Sequence, residues 1–452
     1  MRKLFGTDGI RGVAGEPPLD KKTVFAIGRA LAHHLTAKSR KPRVVIGQDT
    51  RESSGWIGDT LASGLLVSGG EAASAGVITT PGIAYLARKH SFDAGVVISA
   101  SHNPWTDNGI KVFGGDGYKL ADQIELAIEK EIFSILEDGN APAESAQPFS
   151  SLPGDHGLQQ DYEKWLKSRI SQSSSLAGKH LVVDCANGAA SAIAPELFAM
   201  LGVKVDFIHN RPDGRNINEN CGALHPKVVA DEVKRRGADL GVTFDGDADR
   251  ALFADEHGRV VNGDAVMLLM ARDLHSRNEL RKDTLVATTM SNMGLEAALK
   301  RSGIHMLRAP VGDKYVLEEM QKTGAVLGGE QSGHIIFSHA ATTGDGLLTA
   351  LLVLDVVARS GKPISQLVSD LKVFPQVIKN VRVREKQPLD QIPAVQSSIE
   401  EAERDLKDAG RVVVRYSGTE ALARVMIEAE SQEKMERHAN AIAQAIQQAI
   451  GS

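Results

Sequence analysis

Short apolar segments rich in β-branched residues recur along the chain, and each is followed by a polar turn and a helix-like pattern. One such stretch covers residues 43–77, and the same order returns at 180–208 and at 284–309. Strand, polar turn, helix, glycine and strand is the signature of a βαβ unit, in which a crossover helix joins two parallel strands. Three units predict three similar α/β domains, although any α/β protein shows this pattern.

The pattern changes after residue 372. Strand-like "VFPQVIKNVRVREK" is followed by a helical stretch at 390–409, the strand-like runs "RVVVRYSG" and "ARVMIEAE", and an amphipathic helix from about residue 432. A smaller α+β module is therefore predicted to close the chain. The Pro-, Gly- and Ser-rich segment 137–157 favours an interdomain linker. The predicted domains span 1–150, 151–252, 253–370 and 371–452.

Charge and composition narrow the classes of function. The 452 residues include 52 Lys and Arg against 57 Asp and Glu, with no basic tail, which argues against nucleic acid or an anionic membrane as partner. The longest apolar stretch, 347–358, is too short to span a bilayer, and no signal-peptide pattern opens the chain, so a cytoplasmic location is expected. Cys185 and Cys221 lack zinc spacing and are interpreted as reduced structural thiols.

Three aspartates, Asp245, Asp247 and Asp249, alternate directly after the apolar run "ADLGVTF". In an extended or gently turning backbone, side chains two apart point to one side, so three carboxylates can converge. Carboxylates this close favour a hard cation such as Mg²⁺ or Ca²⁺. Glu256 would complete an EF-hand loop, but Arg250 replaces its required glycine and a strand-like run follows. A metal site is therefore predicted, with solvated turn residues as the alternative.

Two loops carry groups suited to a sugar phosphate. In "VRYSGTEALARVM", Arg415, Ser417, Gly418 and Thr419 offer a guanidinium, hydroxyls and backbone N–H groups for phosphate, but an ordinary hairpin turn explains them equally well. In "GGEQSGH", residues 328–334, glycines flank a carboxylate, a hydroxyl and a histidine that suit sugar hydroxyls. Gly-rich turns are common, so this loop alone is a weak indication.

The stretch "ISASHNP" places two serines at the end of an apolar strand. Strand geometry does not choose between Ser99 and Ser101, because residues two apart point the same way. The chain contains no G-x-S-x-G, H-E-x-x-H or Walker A pattern. A strand-end serine, an acidic metal site and two ligand loops together indicate phosphoryl transfer on a phosphorylated sugar, with a serine as acceptor.

Five motifs carry a resemblance to a known family. "FGTDGIRG", "SASHNPWTDNGIK", "DGDADR", "GGEQSGH" and "RYSGTE" occur in the order and at roughly the separations typical of the α-D-phosphohexomutase superfamily, across essentially the whole chain. The resemblance implies an α/β fold of four domains around a central cleft: three related α/β domains with mixed or parallel sheets and a smaller α+β C-terminal domain. The first and fourth motifs most resemble bacterial members that act on amino-sugar phosphates.

The resemblance also implies a reaction and its partners. Glucosamine 6-phosphate and glucosamine 1-phosphate would be interconverted through a phosphoserine enzyme and a 1,6-bisphosphate, on the route to UDP-N-acetylglucosamine. Mg²⁺ would be the metal, and a hexosamine or hexose 1,6-bisphosphate the activator. The expected partner is a small phosphosugar, bound by a monomer or homodimer. A phosphomannomutase or phosphoglucomutase, and a non-catalytic phosphosugar-binding regulator, stay as alternatives.

Site residues follow from the motifs one by one. The resemblance selects Ser101 as the phosphoserine and as a metal ligand with Asp245, Asp247 and Asp249. It assigns catalysis to Arg11, His102, Lys111 and Arg250. Sugar binding is assigned to Glu330, Ser332 and His334, and phosphate binding to Arg415, Ser417, Gly418, Thr419 and Arg424. Simpler structural roles stay as alternatives. Arg11 would stabilise the N-terminal segment, His102 would form a hydrogen bond within its loop, and Lys111 would be an ordinary residue on the face of a strand. Tyr416 and Ala421 stand where the family commonly has prolines, which predicts a less preorganised phosphate loop.

Overall fold

The computed structural model describes residues 4–6, 8–36, 41–138, 156–170, 176–417 and 421–452. The chain forms two compact units, the first of residues 1–290 with 303–369 and the second of 291–302 with 370–452. Within these described residues, the first unit contains three sheets and the second contains one. The predicted linker at 137–157 lies largely outside the described residues.

The first sheet is six-stranded, in the order β1-β2-β6-β5-β3-β4. β3 pairs in parallel with both β4 and β5, and the other pairs are antiparallel. Val44, Ile46, Val96 and Ile98 of β3 and β5 join Leu31 of α1 in one buried cluster. The elements are β1 (Phe5–Gly6), β2 (Gly9–Val13), α1 (Lys21–Thr36), β3 (Arg43–Gln48), α2 (Ser54–Val67), β4 (Glu71–Val77), α3 (Thr80–Lys89), β5 (Ala94–Ile98), β6 (Asp107–Gly114) and α4 (Asp122–Glu137).

The second sheet has the order β11-β10-β9-β7-β8. β7 is parallel to β8 and β9, with Val182 opposite Asp206 and Gly241, while β10 and β11 add antiparallel pairs. The strand predicted after the three aspartates is β10, so the chain does not enter an EF-hand helix there. The elements are α5 (His156–Lys167), β7 (His180–Asp184), α6 (Ala190–Ala199), β8 (Lys204–Ile208), α7 (Pro226–Arg236), β9 (Leu240–Phe244), β10 (Ala251–Ala254) and β11 (Val260–Val261).

The third sheet has the order β13-β12-β14-β15. β12 is parallel to β13 and β14, and β14 and β15 form a hairpin around residues 330–334. The elements are α8 (Gly263–Ser276), β12 (Thr284–Thr288), α9 (Met293–Arg301), β13 (His305–Ala309), α10 (Asp313–Thr323), β14 (Leu327–Gly329), β15 (Ile335–Phe337), α11 (Gly346–Ser360) and α12 (Ile364–Leu367).

The second unit contains a three-stranded antiparallel sheet in the order β16-β18-β17. α9 belongs to this unit although it lies between two strands of the third sheet in sequence. Just before α9, the Asn292 amide donates to Phe374 O at 3.0 Å and to the Glu428 carboxylate at 3.2 Å. The elements are β16 (Gln376–Arg382), α13 (Pro393–Leu406), β17 (Gly410–Tyr416), β18 (Leu422–Ala429) and α14 (Gln432–Ile450).

The predicted α/β class and the closing α+β module are confirmed. Each of the three segments read as βαβ has its two strands paired in parallel: β3 with β4, β7 with β8 and β12 with β13. The predicted helix near 390–409 is α13, and the final helix begins at Gln432. Across the described parts of the chain, no helix combines the length and the apolar character needed to cross a bilayer.

A chain of buried polar side chains connects helices α3, α5 and α11 of the first unit. Thr79 caps α3, Tyr162 lies on α5 and Asp345 caps α11. Thr79 Oγ1 donates to the Tyr162 hydroxyl at 3.3 Å, and that hydroxyl donates to Asp345 Oδ2 at 2.9 Å. Burial raises the pKa of Asp345 from its ordinary value of 3.8 to about 7.

The raised pKa of Asp345 predicts how the stability of the folded state changes with pH. Below 3.8 the carboxyl is protonated in both states; as the pH rises towards 7 the unfolded chain ionises first, so the folded state loses stability. The full difference between the pKa values of Asp345 in the unfolded and folded states corresponds to about 4 kcal/mol of unfolding free energy. We expect Asp345→Asn, which stays neutral, to gain stability relative to the parent chain across this window in urea unfolding. A difference between the two proteins that does not change with pH would contradict this.

Candidate active site

Ser101 lies three residues beyond the end of β5, in a left-handed backbone conformation with φ of +52°. A non-glycine residue in this region costs about 1 kcal/mol or more, and such strain collects at functional sites. The side chain is buried, and its hydroxyl donates to Asp245 Oδ2 at 2.5 Å. The loop therefore carries Ser101 from the first sheet to the carboxylates that follow β9 of the second.

Ser99 has a different environment, although strand geometry alone left both serines open. Its hydroxyl donates to Asp49 Oδ2 at 2.6 Å and accepts the backbone N–H of Ser101 at 3.0 Å. The two serines do not share a direction, because the chain leaves the strand after Ile98 and turns at Ser101. Ser99 thus supports the loop, while Ser101 points at the aspartates.

The three aspartates converge as predicted, but through a tighter bend than alternation along a strand. β9 ends at Phe244, the Ala248 N–H donates to Asp245 O at 3.0 Å, and Ala248 has φ of +55°. One oxygen from each of Asp245, Asp247 and Asp249 lies within 4.8 Å of the others, and all three residues are buried. Because the chain turns, three carboxylates close to one another face the same point.

The electrostatics of this cluster fit a cation. Burial, with the charges of Asp249 and Asp247, raises the pKa of Asp245 well above its ordinary value. Asp247 Oδ1 is buried and accepts no hydrogen bond from the described residues. A bound divalent cation would account for both features, because it lowers the pKa of carboxyl groups and is coordinated by carboxylate oxygens that accept no hydrogen bond. The cluster can therefore hold a metal.

A second group of potential ligands includes residues at the ends of β7 and β8. Donor atoms of Asp184, His209 and Cys221 lie within 4.8 Å of one another. The Asp184 carboxylate already accepts the N–H groups of Ala186 and Gly222 and contacts the His209 ring at 3.1 Å. Burial and the Asp184 charge raise the pKa of Cys221 to about 12, which opposes the thiolate that zinc requires. This group is interpreted as structural.

Lys111 connects β6 to the aspartates and is not an ordinary strand residue. It is 2% exposed, and its Nζ lies 2.8 Å from Asp247 Oδ2, 3.0 Å from Asp8 and 3.7 Å from Asp249. Burial alone would lower its pKa, but the charges of Asp247, Asp8 and Asp249 outweigh burial and raise it. Lys111 is consequently a fixed positive charge.

Several charged neighbours of this site were not predicted from the sequence. Asp8 is adjacent in space to Lys111 and also accepts from Lys119 at 2.6 Å, while Lys119 donates to Asp313 of α10 at 2.7 Å. Burial opposes ionisation of Asp8, but Lys111 and Lys119 hold its pKa well below its usual range. Asp8 lies inside the motif "FGTDGIRG", so this motif could have identified it as a site residue. Lys119 and Asp313 lie in none of the five motifs, and nothing in the sequence indicated them.

Three further predicted residues surround Ser101. Arg11 Nη1 donates to Ala100 O at 3.4 Å, and Arg11 also pairs with Asp8. His102 Nδ1 lies 3.4 Å from Ser101 Oγ; burial, then the charges of Arg250 and Arg11, lower its pKa. The Arg250 N–H donates to Asp245 Oδ1 at 3.1 Å. The structure brings all three to the serine and aspartate cluster.

The predicted sugar loop borders a cavity beside these groups. Glu330 Oε1 accepts the Gly312 N–H at 3.1 Å, and Glu330 Oε2 accepts the Ser332 hydroxyl at 3.3 Å. His334 is buried, its Nε2 lies 3.0 Å from the Gly344 backbone nitrogen, and its Nδ1 lies 3.6 Å from Asp249. The cavity has a volume of about 420 Å³, and its lining includes Arg11, His102, Arg250, Asp313, Glu330 and His334.

The predicted phosphate loop connects β17 and β18 in the second unit. Arg415 is exposed and opposite Arg424 in the hairpin, and Ser417 is buried with its carbonyl accepting from Lys386 at 2.7 Å. The Tyr416 hydroxyl donates to Gln387 O at 2.5 Å. Gly418 and Thr419 lie outside the described residues. This unit therefore provides two arginines on adjacent strands.

Comparison with known proteins assigns the fold and the site to a class. Models of the phosphoglucomutase/phosphomannomutase family match in chain order: alpha/beta/alpha domain I at residues 2–138, domain II at 160–258, domain III at 262–374 and the C-terminal domain at 378–445. The chain belongs to the phosphoglucomutase/phosphomannomutase family. The four predicted domains are consistent with these matches, while their predicted boundaries stay a prediction.

Similar proteins point to one branch of this family. A phosphoglucosamine mutase of Koribacter versatilis is 64% identical over all of this chain and 98% of its own length. A phosphoglucosamine mutase of Solibacter usitatus is 52% identical over 100% of this chain and 99% of its own length. Among solved structures, a family member from Burkholderia thailandensis has a TM-score of 0.77 at 24% identity, and the match covers 99% of this chain and 98% of that protein's chain. N-acetylphosphoglucosamine mutase of Aspergillus fumigatus, with GlcNAc-6P and magnesium, has a TM-score of 0.69 at 20% identity, covering 100% and 96%.

Proposed function

We propose that this chain is a phosphoglucosamine mutase, an isomerase that interconverts glucosamine 6-phosphate and glucosamine 1-phosphate. Similarity over the full length to proteins of that name supports the substrate. One observation carries the chemistry: a buried serine hydroxyl donates at 2.5 Å to one of three clustered aspartates, and the neighbouring His102, Asp249 and Arg250 line a cavity of about 420 Å³. We infer a cytoplasmic enzyme that supplies the route to UDP-N-acetylglucosamine.

In the proposed reaction Ser101 carries the phosphoryl group. The bond between phosphorus and Ser101 Oγ breaks as a sugar hydroxyl takes the group, giving a hexosamine 1,6-bisphosphate. After this sugar reorients, its other phosphate returns to Ser101, so one phosphoryl group leaves and one comes back. A hexosamine or hexose 1,6-bisphosphate added from solution would reload enzyme that had lost its group.

We infer that the metal is Mg²⁺, held by Asp245, Asp247 and Asp249 together with an oxygen at Ser101. Bound there, it would supply Lewis-acid stabilisation of charge on the transferring group. The three carboxylates are hard oxygen donors, which suits Mg²⁺ better than a soft metal.

The pKa directions divide charge stabilisation from proton transfer. Lys111 has a raised pKa and stays protonated, so we assign it, with Arg11 and Arg250, to stabilise negative charge. His102 has a lowered pKa and lies 3.4 Å from Ser101 Oγ, so its neutral ring can accept a proton near neutral pH.

The remaining predicted residues would bind substrate. Glu330 lines the cavity and accepts from the Ser332 hydroxyl, so a carboxylate and a hydroxyl that suit sugar hydroxyls lie together, and His334 supports their loop. We propose that the phosphate which is not being transferred is bound by Arg415, Ser417, Gly418, Thr419 and Arg424. Paired guanidinium groups suit this role because each can bind two phosphate oxygens.

Substrate preference is tested by comparing rates on three sugars. We expect kcat/KM for glucosamine 6-phosphate to exceed that for glucose 6-phosphate and mannose 6-phosphate by about tenfold or more. A higher value for either neutral hexose phosphate would instead favour a phosphoglucomutase or phosphomannomutase.

Removal of the metal gives a separate prediction. We expect a chelator to reduce mutase activity by about a hundredfold or more, because three carboxylates and a phosphoserine would then meet without a divalent cation between them. Added Mg²⁺ should restore activity, and calorimetry should show Mg²⁺ binding that Asp247→Asn weakens. Full activity after exhaustive chelation, with no calorimetric binding, would contradict the assignment.

A further inference from the structure

Arg51 lies directly beneath the loop that carries Ser101, and none of the five sequence motifs includes it. It is 3% exposed, and its Nε pairs with Asp49 Oδ2 at 2.8 Å inside the first sheet's domain. Its two terminal nitrogens donate to backbone carbonyls of the serine loop, defined here as residues 99–107. These acceptors are Ser101 O at 2.9 Å, Asn103 O at 2.9 Å, Asp107 O at 3.0 Å and Pro104 O.

Asn218 contacts the same loop from the domain that holds the three aspartates. Its side-chain amide donates to Ser101 O at 2.9 Å and to Asn103 O at 3.2 Å, two of the carbonyls that Arg51 also binds. The Asn218 backbone N–H donates to Ala186 O at 2.9 Å, so its own position is fixed by the second sheet's domain.

The loop also packs closely against the aspartate turn. A Cβ at Gly246 would lie 2.4 Å from Ser101 O and 2.9 Å from the Asn218 amide nitrogen, so only glycine fits there. Gly246 lies between two of the aspartates in sequence. The carbonyl of Ser101 is therefore enclosed by Arg51, Asn218 and the turn that aims the carboxylates.

We propose that Arg51 and Asn218 are positioning residues that hold Ser101 in its left-handed conformation and set its distance to the aspartates. Ser101 needs such support, because an L residue at φ of +52° keeps that conformation only where its surroundings impose it. Arg51 fixes the loop to the first sheet, and Asn218 fixes it to the aspartate domain. This role rests on the proposed function, in which the Ser101 oxygen reacts twice per turnover.

The expected signature is a lower kcat with an unchanged KM. Phosphoryl transfer needs the reacting atoms within about 3.5 Å in good alignment, and a misplacement of about 1 Å can cost a hundredfold in rate. Neither residue belongs to the groups assigned to bind the sugar or its distant phosphate. A shift of the Ser101 loop should therefore slow transfer without weakening substrate binding.

Asn218→Ala and Asn220→Ala make a matched pair. Both asparagines are left-handed, at φ of +59° and +53°, so alanine meets similar backbone strain at each position. Asn220 is exposed, whereas only Asn218 reaches the serine loop. We expect kcat per folded, phosphorylated enzyme to fall by roughly 10- to 100-fold in Asn218→Ala, with KM within about twofold, and Asn220→Ala to match the parent chain.

Arg51→Lys provides an independent variant. It keeps a positive charge beside Asp49, but a lysine ammonium cannot span four carbonyls as a guanidinium fork does. We expect the same loss of kcat and a displaced phosphorus NMR signal for the phosphoserine, with the melting temperature showing that the protein is folded. Equal kcat in the two asparagine variants, or a rise in KM alone, would overturn the proposal. An inactive parent chain would instead contradict the mutase function.

Discussion

Ser101→Ala is expected to abolish mutase activity. The variant lacks the oxygen that we propose accepts and returns the phosphoryl group, and loss of a covalent nucleophile lowers kcat by about 10⁴-fold or more. The fold should persist, because the lost hydroxyl makes one principal contact, with Asp245. Initial rates with glucosamine 6-phosphate and added bisphosphate, measured beside the melting temperature, check this expectation.

Ser99→Ala is the matched control for this variant. Ser99 also lies at the end of β5 and is buried, but its hydroxyl contacts Asp49 and the Ser101 N–H. We expect it to lose activity by only about tenfold, since it supports the loop and does not react. If Ser99→Ala were inactive and Ser101→Ala active, the assignment of the reacting serine would be wrong.

Lys111→Met should produce the second large effect, on both activity and stability. The methionine keeps most of the length of the side chain but removes the buried cation that Asp247 and Asp8 share. Removing one partner of a buried ion pair costs about 3–5 kcal/mol of unfolding free energy. We also expect kcat to fall by about a hundredfold or more, because the charge opposing the transferring group is lost. Urea unfolding and steady-state kinetics measure the two effects separately.

Lys179→Met removes a lysine whose ion pair is exposed. Lys179 is 44% exposed and pairs with Asp239 at 3.1 Å, so its loss should cost less than about 1 kcal/mol and leave kcat unchanged. If Lys111→Met behaved in the same way, Lys111 would be no more than the strand-face residue that the sequence offered as an alternative.

The sequence predicted the parts of the fold that depend on local pattern. Each βαβ unit was readable because apolar strands, polar turns and glycines alternate within about 30 residues. The hairpin around "RYSGTE" and strand β10 after the aspartates were readable for the same reason. Membership of α9 in the second unit was not, because it depends on long-range hydrogen bonds such as those from Asn292 to Phe374 and Glu428.

The site was predictable where its chemistry is concentrated in motifs. Spacing identified the three aspartates, but their convergence comes from a turn at Ala248 and not from strand alternation. Choosing Ser101 over Ser99 needed the family resemblance, since a left-handed φ at serine has no sequence signal. Arg51 and Asn218 act on backbone carbonyls, which carry no side-chain identity to pair with them in a sequence.

The most direct measurement is the intact mass of the purified protein before and after it is mixed with glucosamine 6-phosphate. The proposed mechanism predicts that a fraction of the protein carries the mass of one phosphoryl group, that peptide mapping places it on Ser101, and that substrate discharges it into a sugar bisphosphate. A phosphoryl group on another residue, or one on Ser101 that substrate never removes while mutase turnover continues, would contradict the central claim.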